Sequence, residues 1–193
     1  MEKLILASAS PRRAEILRAV GWPFEAFATH ADESLLADEA AEAAVQRLAL
    51  KKAEAAAGRY PRDLILGADT AVVVDDLMLG KPRDEKDAER MLRLLSGRWH
   101  DVITGVALLR TGKEEHRVVA LERTHVHFCA MSDEEIDGYV RSGEPMDKAG
   151  AYAVQGRAAM FIEEIRGDYW NVVGLPIRLV YKLYREVRRA LLA

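Results

Sequence analysis

The segment Leu64 to Val74, LILGADTAVVV, constrains this chain more than any other, because it is a long β-prone apolar run with one carboxylate, Asp69, in its middle. Such a strand is expected to be buried, and an unpaired ionised group there costs on the order of several kcal/mol. Asp69 therefore needs a partner. A metal ion or the proton of an attacking water would suit it, and so would a purely structural hydrogen bond.

The segments around that strand alternate in type. Leu4 to Ala7 reads as a short buried strand, and Ser10-Pro11 opens a helix whose apolar positions Ala14, Leu17 and Val20 lead to Gly21 as a stop. Asp38 is a good N-cap for an alanine-rich helix running to about Gly58. Asp75-Asp76 suggests a hairpin turn with a return over Leu77 to Leu79. A helix from Asp84 carries Ala88, Met91, Leu92 and Leu95 on one face and ends at Ser96-Gly97. Two long strands follow, about His100–Arg110 and Val118–Phe128, joined by Thr111-Gly112-Lys113, and then a short helix from Ser132 to about Arg141. Gly143 to Gly174 is glycine-rich, and a last helix begins at Pro176 with Ile177, Val180, Tyr181, Tyr184 and Val187 on one side. This mixture predicts the α/β class, with a mixed twisted sheet and flanking helices. A chain of 193 residues fits one domain, or one domain with two lobes.

Charge narrows the partners. The formal net charge is −3, with 28 basic and 31 acidic residues interspersed, so no nucleic-acid or membrane partner is expected. Cys129 is the only cysteine, which excludes an internal disulfide and suits the reducing cytoplasm. No apolar run approaches the roughly 18 residues needed to cross a bilayer. Met1 to Ser10 has a short apolar stretch, below the ~7–15 residues of a signal peptide, and reads as the first strand.

Any polyanion site must then be local, and SASPRR, Ser8 to Arg13, offers one. A strand feeding a helix N-terminus aims free N–H groups at one point. Ser10 and Pro11 are explained by capping alone, but Arg12 and Arg13 stand in a first turn whose dipole disfavours cations by about 0.3–1 kcal/mol each. An anion is expected to offset them, and phosphate suits arginine forks. On the helix after Asp38, Val45, Leu48, Ala49 and Lys52 follow i, i+3, i+4, i+7, so Lys52 lies on the core-facing stripe while Lys51 points elsewhere. Either its head snorkels outward or it reaches inward to a phosphate. Lys81, in Gly80-Lys81-Pro82, sits on a constrained turn from which a charge can project.

Two further patterns are set aside. His125, His127 and Cys129 alternate on one strand like zinc ligands, yet Val126 and Phe128 form the opposite apolar face, so a solvent-facing side explains them. Arg178, Lys182, Arg185, Arg188 and Arg189 form the solvated, dipole-favoured face of the last helix rather than a nucleic-acid patch.

Taken together, SASPRR at Ser8–Arg13, GADT at Gly67–Thr70, GKPRD at Gly80–Asp84, LSGRWHDVITGVAL at Leu95–Leu108, EPMDKAGAYAVQG at Glu144–Gly156 and GDYWNVVGLP at Gly167–Pro176 resemble the Maf family of nucleoside triphosphate pyrophosphatases. The resemblance implies a single Maf-like domain over residues 1–193, two lobes around a deep cleft, and a fold related to the inosine triphosphate pyrophosphatases. It implies hydrolysis of a nucleoside triphosphate between the α- and β-phosphates, a divalent cofactor, Mg2+ or Mn2+, and a homodimer. By the same resemblance Asp69 would be the proton acceptor, Glu33, Asp69 and Asp84 the metal ligands or partners of metal-bound water, and Ser8, Arg13, Lys52 and Lys81 the triphosphate holders. The subgroup that this chain resembles prefers dTTP and UTP, and its specificity positions fall on Arg12, Thr70 and Gln155. A side-chain amide at Gln155 could meet a pyrimidine's O4 and N3–H together. Asp32 in place of a common glutamate, and Ala153 and Ala158 in place of frequent glycines, leave substrate breadth open. The alternative to an enzyme is a non-enzymatic nucleotide-binding regulator of septum formation.

Overall fold

In the computed structural model, which describes residues 1–112 and 115–190, the chain begins with β1 (Leu4–Leu6), α1 (Pro11–Ala19), β2 (Phe24–Ala26) and α2 (Ala41–Ala57). It continues through β3 (Leu64–Val74), β4 (Leu77–Leu79), α3 (Glu85–Leu95), β5 (Trp99–Arg110) and β6 (His116–Phe128). It ends with α4 (Asp133–Val140), three short 3-10 turns, β7 (Ile162–Arg166), α5 (Tyr169–Val173) and α6 (Ile177–Ala190). The strands form one seven-stranded mixed sheet in the order β2-β1-β3-β5-β6-β7, with β4 paired to β3. β1 lies parallel to both β2 and β3, whereas β4 on β3 and β7 on β6 are antiparallel. The fold is α/β, as the alternation of segment types predicts.

Two compact units make up the chain, and the division falls within β3, β5 and β6. The first unit comprises Met1–Asp69, Thr104–Glu122 and Gly174–Ala193. Its core joins Ile5 and Ala7 to Ile65 of β3, Ala107 and Leu109 of β5, and Ala49, Ala53 and Ala56 of α2. The small side chains of α2 let that helix lie close on the strands. The second unit comprises Thr70–Ile103 and Arg123–Val173. Its core packs Ala88, Met91, Leu92 and Leu95 of α3 with Val72, Val102, Phe128, Tyr139 and Tyr152.

Local signals explain most element ends. Pro11 occupies the first turn of α1, and Gly21 follows it with φ +65°, the left-handed conformation a glycine adopts freely. Ser132 and Glu135 form a reciprocal capping box that starts α4. Asp75 and Asp76, at φ 48° and 62°, make the hairpin turn between β3 and β4.

Three expectations are corrected. Asp38 does not cap α2: it takes φ 57° in the preceding turn and the N-cap is Ala40, because aspartate tolerates the left-handed region as well as it caps. Val20 is exposed rather than part of the buried face of α1. On α6 the buried stripe is Leu179, Val180, Leu183, Tyr184 and Val187, with Tyr181 exposed. The glycine-rich stretch contains β7 and α5. Lys113, assigned to the turn between the long strands, lies outside the described residues. No helix among the described residues is long and apolar enough to cross a membrane.

Candidate active site

The site is built on a close approach between α2 and the strands beneath it. A Cβ on Gly67 would stand 2.1 Å from the Ala49 carbonyl oxygen, and one on Gly105 would stand 2.2 Å from that of Val45. Glycine at both positions therefore lets the helix backbone rest on the sheet. Val45, Leu48, Ala49 and Lys52 are all buried on this side of α2, as their spacing predicts. Side chains two residues apart on a strand share a face, so Gly67, under Ala49, places Asp69 under the next helical turn. There Lys52 Nζ donates to Asp69 Oδ1 at 2.6 Å and contacts Glu33 Oε1 at 2.9 Å. The lysine head turns inward instead of snorkelling, and its side chain is 9% exposed against 16% for Asp69 and 55% for Glu33.

Glu33 comes from an irregular segment held down by other cations of α2. Arg47 donates through Nε and Nη2 to the two carboxylate oxygens of Glu39, each at 2.6 Å, and through Nη2 to Ser34 O at 3.2 Å. Lys51 pairs with Asp32 at 3.1 Å on the surface. Hydrogen bonds from Ser34, and then Lys51, hold the Asp32 carboxyl down to about 2. Arg47 and the two glycines were not singled out as site residues from sequence. A glycine two positions before a buried carboxylate, facing an alanine-rich helix, is the signal that could have found Gly67.

SASPRR forms the turn into α1. Ser10 is the N-cap, although its side chain makes no capping bond, and its N–H donates to Ser8 Oγ at 3.2 Å. Arg13 is buried, donating from Nε to Gly174 O at 2.9 Å and from Nη1 to Ser8 Oγ at 3.1 Å. Burial pushes the guanidinium pKa down; the field of Asp69 acts first against that, Arg12 adds to the lowering, and Glu33 counters it. The carboxylates of Asp69 and Glu33 thus oppose part of the cost of burying Arg13. Arg12 is half-buried. Ser8, Arg12, Arg13, Glu33, Lys52 and Asp69 all belong to the first unit.

Thr70, Lys81, Asp84 and Gln155 belong to the second. Thr70 is half-buried beside Asp69 along β3, and Lys81 and Gln155 are exposed. Asp84 serves as the N-cap of α3, its Oδ1 accepting from Asp87 N at 2.8 Å. Asp87 closes the same turn, taking Arg83 N at 3.2 Å and Arg90 Nη2 at 2.7 Å. Of the two patterns set aside, the histidines follow the strand alternation, whereas Cys129 lies just past the end of β6 and packs against the core of the second unit. His125 pairs with Asp101 at 2.5 Å and His127 with Glu163 at 2.9 Å, while Val126 and Phe128 are fully buried. The five cations of α6 are all exposed.

For a divalent cation, the donor set in the first unit is Glu33 and Asp69, whose oxygens converge on one ammonium. Magnesium typically takes one or two carboxylates and completes its shell with water and substrate phosphates, so this pair fits it. No group of three His, Cys, Asp or Glu side chains able to hold a metal occurs among the described residues.

Known proteins resemble this chain over nearly its whole length. Over 186 residues the chain is 56% identical to the dTTP/UTP pyrophosphatase of Symbiobacterium thermophilum, covering 96% of this chain and 94% of that one. It is 50% identical over 183 residues to the dTTP/UTP pyrophosphatase of Koribacter versatilis, covering 95% and 93%. A solved HAM1 protein from Coxiella burnetii is similar with a TM-score of 0.48 and 17% identity, covering 83% of this chain and 92% of that one. The family described as Maf-like protein matches residues 3–187, and the chain belongs to that family.

Proposed function

We propose that the protein hydrolyses nucleoside triphosphates, dTTP and UTP first among them, to the monophosphate and pyrophosphate. The observation that carries this reading is the inward-facing Lys52, held between Asp69 at 2.6 Å and Glu33 at 2.9 Å. Such a cluster joins a candidate base to a cation suited to phosphate. The names of the relatives support turnover over nucleotide sensing alone.

In this reading the α–β phosphoanhydride bond breaks, the oxygen of water stays on phosphorus, and its proton passes to a carboxylate oxygen of Asp69. Lys52 stabilises charge that builds on the phosphate oxygens, with Ser8 and Arg13 shaping the turn that receives the triphosphate. Lys81 is a further phosphate ligand, and Arg12, Thr70 and Gln155 select the base. Glu33 and Asp69 would hold Mg2+ or Mn2+, which would neutralise phosphate charge and lower the pKa of bound water. A cytoplasmic homodimer completes the proposal, the lone Cys129 being suited to a reducing compartment.

The test is a panel of nucleoside triphosphates assayed for pyrophosphate with Mg2+, with Mn2+ and with a chelator. Release from dTTP and UTP only with metal present is expected. Asp69→Asn should bind nucleotide yet lose about 100-fold or more in turnover. Full activity in that variant removes Asp69 as the base, and no release from any triphosphate overturns the function.

A further inference from the structure

Glu144 is an acid that the chemistry above leaves unused. It is half-buried at the start of the 3-10 turn Glu144–Asp147, in the same unit as Gln155. Its Oε1 accepts from the Tyr139 hydroxyl at 2.8 Å and its Oε2 from the Arg157 N–H at 3.1 Å. The Tyr139 oxygen accepts in turn from the Ala153 N–H at 3.3 Å. The backbone at 153 and at 157 is thus tied to one phenol–carboxylate pair, with the exposed Gln155 between the two ties.

Two further features tighten the arrangement. The Gly156 N–H donates to Ala153 O at 3.0 Å, which closes the turn. A Cβ on Gly156 would stand 2.1 Å from Glu144 Oε1, so the absence of a side chain there lets the carboxylate press against the backbone. Tyr139 is buried, and burial followed by its bond to Glu144 pushes the phenol pKa up, keeping it a hydrogen donor. The carboxylate's bonds here go to a phenol and a peptide N–H rather than to a cation, an arrangement that fixes direction more than it stores charge energy.

We propose that the Glu144–Tyr139 pair is a positioning brace that sets how Gln155 is presented, and through it the choice among nucleobases. This rests on the pyrophosphatase reading above and on Gln155 as a base-selecting residue.

The experiment compares wild type, Glu144→Ala, Glu144→Gln and Tyr139→Phe on dTTP, UTP, dCTP and dGTP. Glu144→Ala is expected to raise KM for dTTP about tenfold, to keep kcat within about threefold, and to lower the dTTP-to-dGTP ratio of kcat/KM. Tyr139→Phe, which keeps the packed ring, and Glu144→Gln, which keeps one acceptor oxygen, should move in the same direction by less. Amide exchange at Ala153 and Arg157 should quicken in Glu144→Ala while the rest of the second unit keeps its protection. Unchanged base preference, or a loss confined to kcat, overturns the brace and leaves the pyrophosphatase reading standing. A wild type that releases no pyrophosphate from any nucleotide overturns both. If Glu144→Ala does not fold, the two conservative variants decide by the same criteria.

Discussion

Gly67 lies so close to Ala49 that a single methyl group at position 67 would stand 2.1 Å from the Ala49 carbonyl oxygen. Backbone contact therefore sets the spacing between α2 and β3, and that spacing brings Lys52 Nζ to 2.6 Å from Asp69 Oδ1. Gly67→Ala should destabilise the protein by about 1–3 kcal/mol, since neither backbone can yield as a flexible side chain would. Pyrophosphate release should fall further than stability alone explains. A shift in the urea midpoint with undiminished turnover in the folded fraction would show that the spacing does not govern the site.

Lys52→Met should lower kcat/KM for dTTP by about 100-fold or more, the scale seen when one charge-stabilising donor is removed from an active site. The two carboxylates would then lack their shared cation. Lys52→Arg is not expected to restore activity, because a planar fork replaces a compact ammonium in a side chain that is only 9% exposed. Steady-state kinetics on both variants checks this, and a loss below tenfold in Lys52→Met contradicts it.

Stability should fall between pH 6.5 and 4 because of His100. Its ring is buried in the second unit, Nε2 lies 2.8 Å from the Tyr152 hydroxyl, and burial pushes its pKa down to about 4. In an unfolded chain the group takes up its proton near 6.5, so across this window the unfolded state binds protons that the native state refuses, and stability rises with pH. The effect is on the order of 3 kcal/mol if the whole window is crossed. Denaturant titrations at pH 7 and pH 4.5 should give a smaller difference for His100→Gln than for wild type. An equal difference would remove His100 as the cause.

A second acid-sensitive contribution lies lower. Arg90, then the Arg83 N–H, hold the Asp87 carboxyl down to about 2 from an ordinary value of 3.8. The stability it contributes is complete above the ordinary value and lost as pH falls through the depressed one. Asp87→Asn should melt below wild type at pH 7, and the gap should narrow between pH 4 and pH 2. A gap that stays constant over that range would mean the carboxylate's charge contributes nothing.

The site was legible where a side chain broke the pattern of its own element. Lys52 stood out because the helical stripe Val45, Leu48, Ala49 is apolar, and Asp69 because its strand is. Glu33 carries no such contrast. Its segment has no periodicity to violate, so only the family resemblance pointed to it, and its bond to Lys52 emerges from tertiary structure. Gly67 and Gly105 were silent for a related reason: a strand glycine reads equally as a bulge or a close approach until the element above it is known. Asp38 misled because one residue type serves both the helix cap and the left-handed turn. The shift on α6 from Tyr181 to Leu179 and Leu183 shows that a helix with apolar residues on two adjacent lines leaves its rotation to the packing.

The first unit is assembled from three stretches of chain, the last starting at Gly174. Both stretches of the second unit have been translated by then. Yet the Glu2 N–H donates to the Tyr184 hydroxyl at 3.1 Å, and the Trp22 ring meets Tyr184 edge-on at 5.1 Å. At roughly 5–20 residues per second, Glu2 and Trp22 wait on the order of ten seconds for the helix that supplies Tyr184. What is synthesised first is finished last, because Trp22 can meet the Tyr184 ring only once that helix has been made.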